Sequence, residues 1–306
     1  MSSFHSRRPR SLRSAHRYRL LFLLPILVDI VIVFVYPLYT NITMSFEKYG
    51  IAAFVSGRAP FVGLKNYIDV FSNPLMGKTV VNTILFTVGS IALQFILGML
   101  LALFFKRRFA GSQLLRTLLL IPWLLPLIVS ATTFRWMFDH TNGIINQFLQ
   151  NLHLISQPLG WLITPNLALL SVIVTNIWIG IPFNMVLLYG GLVSIPEEYY
   201  EAASIDGANG VQSFWYITIP SLREIITIVL MLGLIYTLKV FDVIRVLTGG
   251  GPANSTQILS TWSYALSFTD LSFGQGAAVG NVLIAVSLIF SMIYLRVAKI
   301  TTGPAR

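Results

Sequence analysis

Apolar residues along this chain gather in long unbroken blocks separated by short polar stretches. The pattern has neither the alternation of a half-buried strand nor the one-sided spacing of a soluble helix. The blocks run over about Leu20–Leu38, Thr79–Phe105, Leu114–Met137, Leu167–Tyr189, Ile225–Leu247 and Ala277–Leu295. Each is close to the ~20 residues that carry an α-helix across a hydrocarbon core. Lipid offers no partner to a backbone N–H or C=O, so a spanning segment must close its hydrogen bonds internally. The pattern therefore predicts an all-α integral membrane protein with six transmembrane helices. Basic residues precede the first block, as they precede the core of a signal peptide. That block exceeds the usual ~7–15 apolar residues, and no small-x-small site follows Val35-Tyr36-Pro37, so it is read as a retained span.

The polar stretches between blocks set the orientation. Arg7, Arg8, Arg10, Arg13, Arg17 and Arg19 precede the first span, Lys106, Arg107, Arg108 and Arg116 lie between the second and third, and Arg296, Lys299 and Arg306 end the chain. Positive charge of this density marks the cytoplasmic side, so both termini are expected there. The organisation is then a basic tail over residues 1–19, a six-span domain over 20–298 and a short tail over 299–306. On the outer side, LTGGGPANST from Leu247 reads as a turn. Gly249, Gly250 and Gly251 permit backbone angles closed to other residues there, and Pro252 stops the helix.

A polar, acidic segment, EYYEAASIDGANGVQSFWYITIPSLRE from Glu198, separates the fourth and fifth blocks on the cytoplasmic side, within a loop over residues 191–222. Ser194 and Glu197 have capping-box spacing, Pro196 suits a first helical turn, and Glu197 and Glu198 complement the helix dipole. A helix is expected from Ile195 to a stop at Gly207, and a second from about Val211 to a point before Pro220. The product is a helix-turn-helix elbow outside the lipid. Ala202 and Ala203 allow close approach, Glu201 and Asp206 add charge, and Tyr199, Phe214 and Trp215 bring more apolar area than so short a segment can bury alone. A partner groove accounts for this surface, and so does an amphipathic loop lying on headgroups.

Composition narrows the function. Hydrophobic residues make up 55% of the chain and charged residues 10%, against roughly a quarter charged in a soluble domain, and no room remains for a soluble catalytic domain. The net charge of +10 comes from residues flanking apolar blocks rather than interleaved with aromatics, which argues against nucleic acid. Cysteine is absent, excluding disulfides and thiolate chemistry. His5, His16, His140 and His153 lie outside the spans and form no His-Glu-x-x-His site, so neither a metal nor a catalytic site is expected. No Gly-x-x-x-x-Gly-Lys-Ser/Thr loop occurs, so the chain does not bind ATP by that means and needs no cofactor of its own.

The elbow carries a resemblance. EAASIDG followed nine residues later by ITIP is similar to the EAA signature of ABC importer permeases: Glu201, Ala202, Ala203, Gly207, Ile217 and Pro220 match, and Ile219 replaces the usual leucine. FVGLKNY at Phe61, FRWMFDHTNGIIN at Phe134, NIWIGIPFNM at Asn176 and VLTGGGPANST at Val246 resemble the carbohydrate-uptake branch, the maltose-type and glycerol-phosphate-type permeases. The resemblance implies a second, different permease subunit, two ATPase subunits that bind ATP and grip the elbow, and an extracytoplasmic solute-binding protein. It implies a small carbohydrate or polyol as cargo, and a bacterial or archaeal cell membrane as location. Glu201, Ala202, Ala203, Asp206 and Gly207 become the expected ATPase-coupling residues.

Polar groups at membrane depth suggest the path: Asp29 on the first span, Asn176, Trp178 and Asn184 on the fourth, Lys239 and Asp242 on the fifth. Lys239 and Asp242, three residues apart, equally suit a structural pair along one helix face. By resemblance to the maltose-type permeases, the solute wall comprises Asn176, Ile179, Gly180 and Phe183 with Gly233, Tyr236 and Thr237. The chemistry suits a sugar, since an amide donates and accepts and aromatic faces cover the apolar side of a ring. Gly180 and Gly233 could instead be helix-packing residues. Thr237 and Gly233 stand where the maltose-type permease carries asparagine and serine, which implies a differently held solute. An ion-coupled secondary transporter would also use membrane-depth Asp and Lys, but would need no elbow.

Overall fold

The computed structural model describes residues 23–107 and 109–301. The basic tail, the first residues of the predicted first span, Arg108 and the last five residues lie outside that set. All regular elements among the described residues are helices, with one isolated bridge between Glu47 and Phe61. Four helices are long and apolar enough to cross a bilayer unaided: α1 (Leu23–Ser45), α4 (Pro74–Lys106), α8 (Pro165–Ser194) and α14 (Phe273–Thr301). Short helices α2 (Ile51–Ser56) and α3 (Lys65–Phe71) join α1 to α4, and α7 (Ile144–Asn151) precedes α8. Two bent helix pairs bring the number of spans to six if each counts as one: α5 (Ser112–Leu124) with α6 (Leu127–Met137) at 94°, and α10 (Gly210–Ser221) with α11 (Arg223–Leu238) at 71°. The remaining helices are α9 (Glu197–Ile205), α12 (Asp242–Leu247) and α13 (Leu259–Tyr264).

The predicted blocks thus match helices, but two are broken. The third is interrupted at Leu125-Pro126, where the proline forces the preceding residue out of the helical region; Leu125 has ψ 144°. The fifth ends at Leu238, and the chain turns through Lys239–Phe241 before α12. Hydropathy registers both as continuous because the residues at the breaks are nearly all apolar.

Proline and asparagine start the long helices. Asn73 accepts a hydrogen bond from the Leu75 N–H at 2.9 Å, and Pro74 and Pro165 occupy first-turn positions that need no donor. α4 is 33 residues long, about 50 Å at helical rise, so it overshoots the ~30 Å hydrocarbon core.

The most extensive helix contact is that of α4 with α8. A stripe of small and polar residues on α4, Thr83, Thr87, Ser90, Gln94 and Ala102, is buried, opposite Ser171, Thr175, Asn176 and Asn184 on α8. Helices in lipid gain nothing from hiding apolar surface from one another, so close backbone approach and interhelical hydrogen bonds hold them together. Gly98 makes that approach possible, since a Cβ there would lie 2.6 Å from the Asn184 Cβ and 3.1 Å from the Met185 backbone nitrogen. By contrast α1 is exposed along its apolar length. A polar knot ties down its carboxyl end: the Asn41 amide donates to Asn281 Oδ1 at 2.7 Å, and Asn66 donates to the Ser45 carbonyl at 2.9 Å.

The elbow departs from its predicted form in three respects. Ser194 ends α8 and its hydroxyl donates back to the Gly191 carbonyl at 2.7 Å, so it makes no capping box with Glu197, and α9 starts behind Pro196 without a side-chain cap. A reciprocal box sits instead at Asn209 and Gln212, which open α10. α10 continues through Pro220 because a π-turn over Phe214–Thr218 widens the helix ahead of the proline. The stop at Gly207 is as expected: φ is +80°, and the Gly207 and Ala208 N–H groups reach the Ser204 and Ala203 carbonyls at 3.1 and 2.9 Å, a Schellman closure. Leu247 ends α12 as predicted; Gly249 and Gly250 take φ of +62° and +93°, whereas Gly251 does not need positive φ.

The close approach at Gly98 predicts a contrast between two glycines of one helix. Gly98→Ala should destabilise the protein in detergent by about 1–3 kcal/mol through overpacking. Gly77→Ala, where an added Cβ meets nothing within 4 Å, should be neutral or stabilise by up to about 1 kcal/mol through helix propensity. Denaturant titration followed by circular dichroism compares the two.

Candidate functional site

A cavity of about 340 Å³ lies between α8, α11 and the breaks of the third and fifth crossings. All the wall residues expected on α8, Asn176, Ile179, Gly180 and Phe183, line it, as do Gly233, Tyr236 and Thr237 from α11. Lys239 and Asp242 line it too. They do not form the structural pair considered above. Lys239 closes α11 and Asp242 opens α12, so no continuous helix face joins them, and among the described residues no ion pair within 4 Å connects them. The Lys239 ammonium instead stands 4.8 Å from the Tyr236 ring centroid.

Three of the expected path residues fall elsewhere. Asp29 is on the exposed face of α1. Trp178 points away from the cavity and meets Phe134 edge-on, with centroids 5.2 Å apart. Asn184 is buried and donates to the Gly180 carbonyl at 2.9 Å. Depth in the membrane does not select for the cavity, because a polar side chain can satisfy itself on its own helix.

The aromatic wall is continuous. Phe183 packs against Tyr236 at 5.9 Å, nearly perpendicular, and against Trp123 of α5 at 5.8 Å. Such faces suit the C–H surface of a sugar ring. Asn176 supplies the polar counterpart: it is 6% exposed, its side-chain amide nitrogen has no hydrogen-bond partner, and its backbone carbonyl is already engaged. An unpaired buried donor at a cavity wall is available to a ligand oxygen.

Gln94 is the principal wall residue that sequence reasoning missed, with Trp123, Leu125 and Leu127 from the third crossing. The Gln94 amide donates to the Asn176 carbonyl at 2.9 Å. It lies directly over Gly180, where an added Cβ would come within 2.3 Å of its side chain. Gly180 is therefore both a cavity residue and a packing residue, while Gly233 is open, with its nearest neighbour, Ile91, at 3.8 Å. Threonine, serine, glutamine and glycine recurring every third or fourth residue on α4 was the available signal. The wall residues Trp123, Leu125 and Leu127 carry no such mark; only the bend at Pro126 brings them inward.

The cavity walls contain irregular backbone at membrane depth. Pro182 removes the helix bond to the Trp178 carbonyl, Leu125 is extended, and Lys239–Phe241 are outside any helix. Lipid does not tolerate such backbone, but a polar cavity does. Among the described residues no cluster of His, Cys, Asp and Glu could hold a metal.

The elbow is the second candidate site. The Tyr200 and Thr218 hydroxyls, one from each arm, lie 2.9 Å apart. Ile195 and Leu222 at its two ends are buried in a core with Met99, Leu188, Leu192 and Val229. Gly191 admits this packing, since a Cβ there would lie 2.3 Å from Ile225 Cδ1. Phe214 is half-buried against the same core, whereas Tyr199, Ile205, Val211, Trp215 and Tyr216 are exposed. Glu201, Ala202, Asp206 and Gly207 are exposed and Ala203 is half-buried.

Residues 94–300 match the family model described as binding-protein-dependent transport system inner membrane component. The chain is 35% identical over 280 residues to the trehalose/maltose transport system permease protein MalF of Thermococcus litoralis, covering 91% of this chain and 92% of that one. It is 32% identical over 279 residues to the sulfoquinovosyl glycerol transport system permease protein SmoG of Agrobacterium fabrum, covering 91% and 89%. Among solved structures, a chain of a bacterial ABC transporter involved in the import of the acidic polysaccharide alginate superposes with a TM-score of 0.82 at 22% identity, over 96% of this chain and all of that one. That likeness is one of fold.

The Gln94–Gly180 contact predicts non-additivity. Gly180→Ala should push the Gln94 amide off the Asn176 carbonyl and cost about 1–3 kcal/mol. In the Gln94→Ala background the same change should cost less by about 0.5–1.5 kcal/mol, the range of a lost interhelical hydrogen bond. A double-mutant cycle on thermal stability in detergent reads this directly, and strict additivity would contradict the contact.

Proposed function

The chain belongs to the binding-protein-dependent transport system inner membrane component family, the permeases of ABC importers, and from that premise we propose that it forms half of a translocation path for a sugar or related polyol. The observation that carries the proposal is the cavity in which Asn176, with its unpaired amide, faces the Phe183–Tyr236–Trp123 aromatic wall. A carbohydrate agrees with what the named relatives transport, trehalose or maltose and sulfoquinovosyl glycerol. Membership of the family leaves the ion-coupled secondary carrier without support.

In this reading Asn176 donates to a solute hydroxyl, and Phe183 and Tyr236 cover an apolar ring face. Gly180 and Gly233 leave room, Ile179 closes the floor, and Thr237 offers a hydroxyl. Lys239 and Asp242 add one charge of each sign, so the solute meets both a donor and an acceptor at the broken fifth crossing.

Energy comes from partner ATPase subunits, one on this chain's elbow and one on that of a second permease, while an extracytoplasmic binding protein delivers the solute. Glu201, Ala202, Ala203, Asp206 and Gly207 form the face the ATPase grips. A lever must be stiff, and the Tyr200–Thr218 contact and the buried ends of the elbow support that role. ATP can shift the inward and outward states only by binding them differently, so the elbow must stay engaged through the stroke. The elbow lies in the cytoplasm with both termini, and the chain itself carries no ATPase activity.

Two variants separate cavity from lever. Asn176→Ala should lower solute uptake by membrane vesicles about tenfold, equivalent to one hydrogen bond to a ligand, while ATPase subunits still co-purify. Ala202→Trp should leave the protein inserted but abolish co-purification and uptake together. Full uptake in the first, or normal ATPase retention with normal uptake in the second, would remove that residue from its role.

A further inference from the structure

A second polar cavity, of about 470 Å³, opens where α4 and α8 end and α9 begins. Lys106 and Arg107 at the end of α4, and Arg116 of α5, line it together with Tyr189 and Tyr200; its only carboxylate is Glu197. Two of the three cations are held by ring faces rather than by acids. The Lys106 ammonium is 3.9 Å from the Tyr200 ring centroid, and the Arg116 guanidinium carbon is 4.3 Å from that of Tyr189. Cation–π contact fixes a cation's position without using its N–H groups. Arg116 Nε is buried with no hydrogen-bond partner, and among the described residues no ion pair within 4 Å joins Glu197 to the three cations.

We infer that this pocket binds a phosphate-bearing anion, the headgroup of an anionic phospholipid. A pocket with three cations against one carboxylate retains positive charge, and a buried, unpaired guanidinium nitrogen is a donor prepared for an acceptor oxygen. The placement selects the source. The pocket lies at the ends of two long apolar helices, beside the basic stretch that the sequence puts at the cytoplasmic membrane surface, and basic pockets between such helices take anionic lipid. Exposed apolar side chains lead away from it, Phe104 on α4 and Leu115 and Leu118 on α5, as acyl chains require. A phosphate held by Arg116 and Lys106 would bridge the α4–α5 connection to Tyr200, whose hydroxyl braces the elbow, and so couple lipid composition to the elbow's stiffness.

The test is native mass spectrometry of the full chain in mild detergent, mixed with phosphatidylglycerol or with phosphatidylcholine of the same acyl chains. The wild type should retain phosphatidylglycerol several-fold better. Arg116→Gln and Lys106→Gln should each lower that retention about fivefold, the share of one basic group near an anionic surface. Arg58→Gln, which removes an exposed charge remote from the pocket, should leave it unchanged. Displacement of the lipid by millimolar inorganic phosphate, lost in Arg116→Gln, would keep the site but make free phosphate its ligand. Equal retention of the two lipids, or an equal fall in Arg58→Gln, would overturn the proposal. So would unchanged retention in both pocket variants, or loss of ATPase co-purification in Arg116→Gln with lipid retention intact, which would place a protein carboxylate there. Lipid retention is read without transport, so it can fail while the transport reading stands.

Discussion

The close approach of α4 and α8 is the interaction on which the other features rest. In lipid, neither helix gains by covering the other's leucines, so their association depends on glycine and on amide hydrogen bonds. Gly98 lets the backbones meet at one level and Gly180 admits the Gln94 amide at another. That amide donates to the Asn176 backbone carbonyl, while the Asn176 side-chain amide stays buried without a partner beside the cavity. The helix seam and the cavity wall thus share Gln94, Asn176 and Gly180.

The same seam carries the elbow. Below Gly98, Met99 and Ala102 of α4 join Leu188 and Leu192 of α8 in the core that buries Ile195 and Leu222, the residues at which the elbow enters and leaves. If α9 and α10 are displaced, this core would carry the displacement to the helices that wall the cavity, because packed interiors move as rigid bodies rather than deforming continuously. The first crossing stands apart from this unit. Its first two-thirds are bare, and only its carboxyl-terminal part, from about Thr40 to Ser45, packs against α14 and joins the polar knot of Asn41 and Ser45, as suits a helix whose remaining neighbours are lipid or another chain.

Much of this was legible in the order of residues, for identifiable reasons. Long apolar blocks leave no alternative to helices, so among the described residues each predicted span falls largely on helical chain, with breaks in the third and fifth. Gly207 is legible because a Schellman closure needs positive φ there. The capping box at Ser194 was misplaced because a serine at the end of a helix can satisfy itself on the preceding turn, and spacing alone does not say where that helix ends. The run of α10 through Pro220 was hidden because a π-turn leaves no compositional mark. The residues drawn from the maltose-type resemblance do line the cavity, whereas Gln94, Trp123 and Leu125 come from other helices. No periodicity within α8 or α11 could have shown which helices would face them.

The breaks at Leu125-Pro126 and Lys239–Phe241 bear on why the cavity exists at all. A straight helix would satisfy every backbone group and present only side chains to a solute. Each interruption breaks the ladder of helix hydrogen bonds, and backbone groups left without their helix partners are stable only beside polar matter. Ser260 engages one of them, donating to the Val240 carbonyl at 2.6 Å. The cavity is thus the place where this chain tolerates incomplete helices, and a hydroxyl-rich solute is the kind of matter that would complete them. If the cavity takes such a solute, the bends at Pro126 and Lys239 would share in recognising it with Asn176, since they decide which backbone groups it meets.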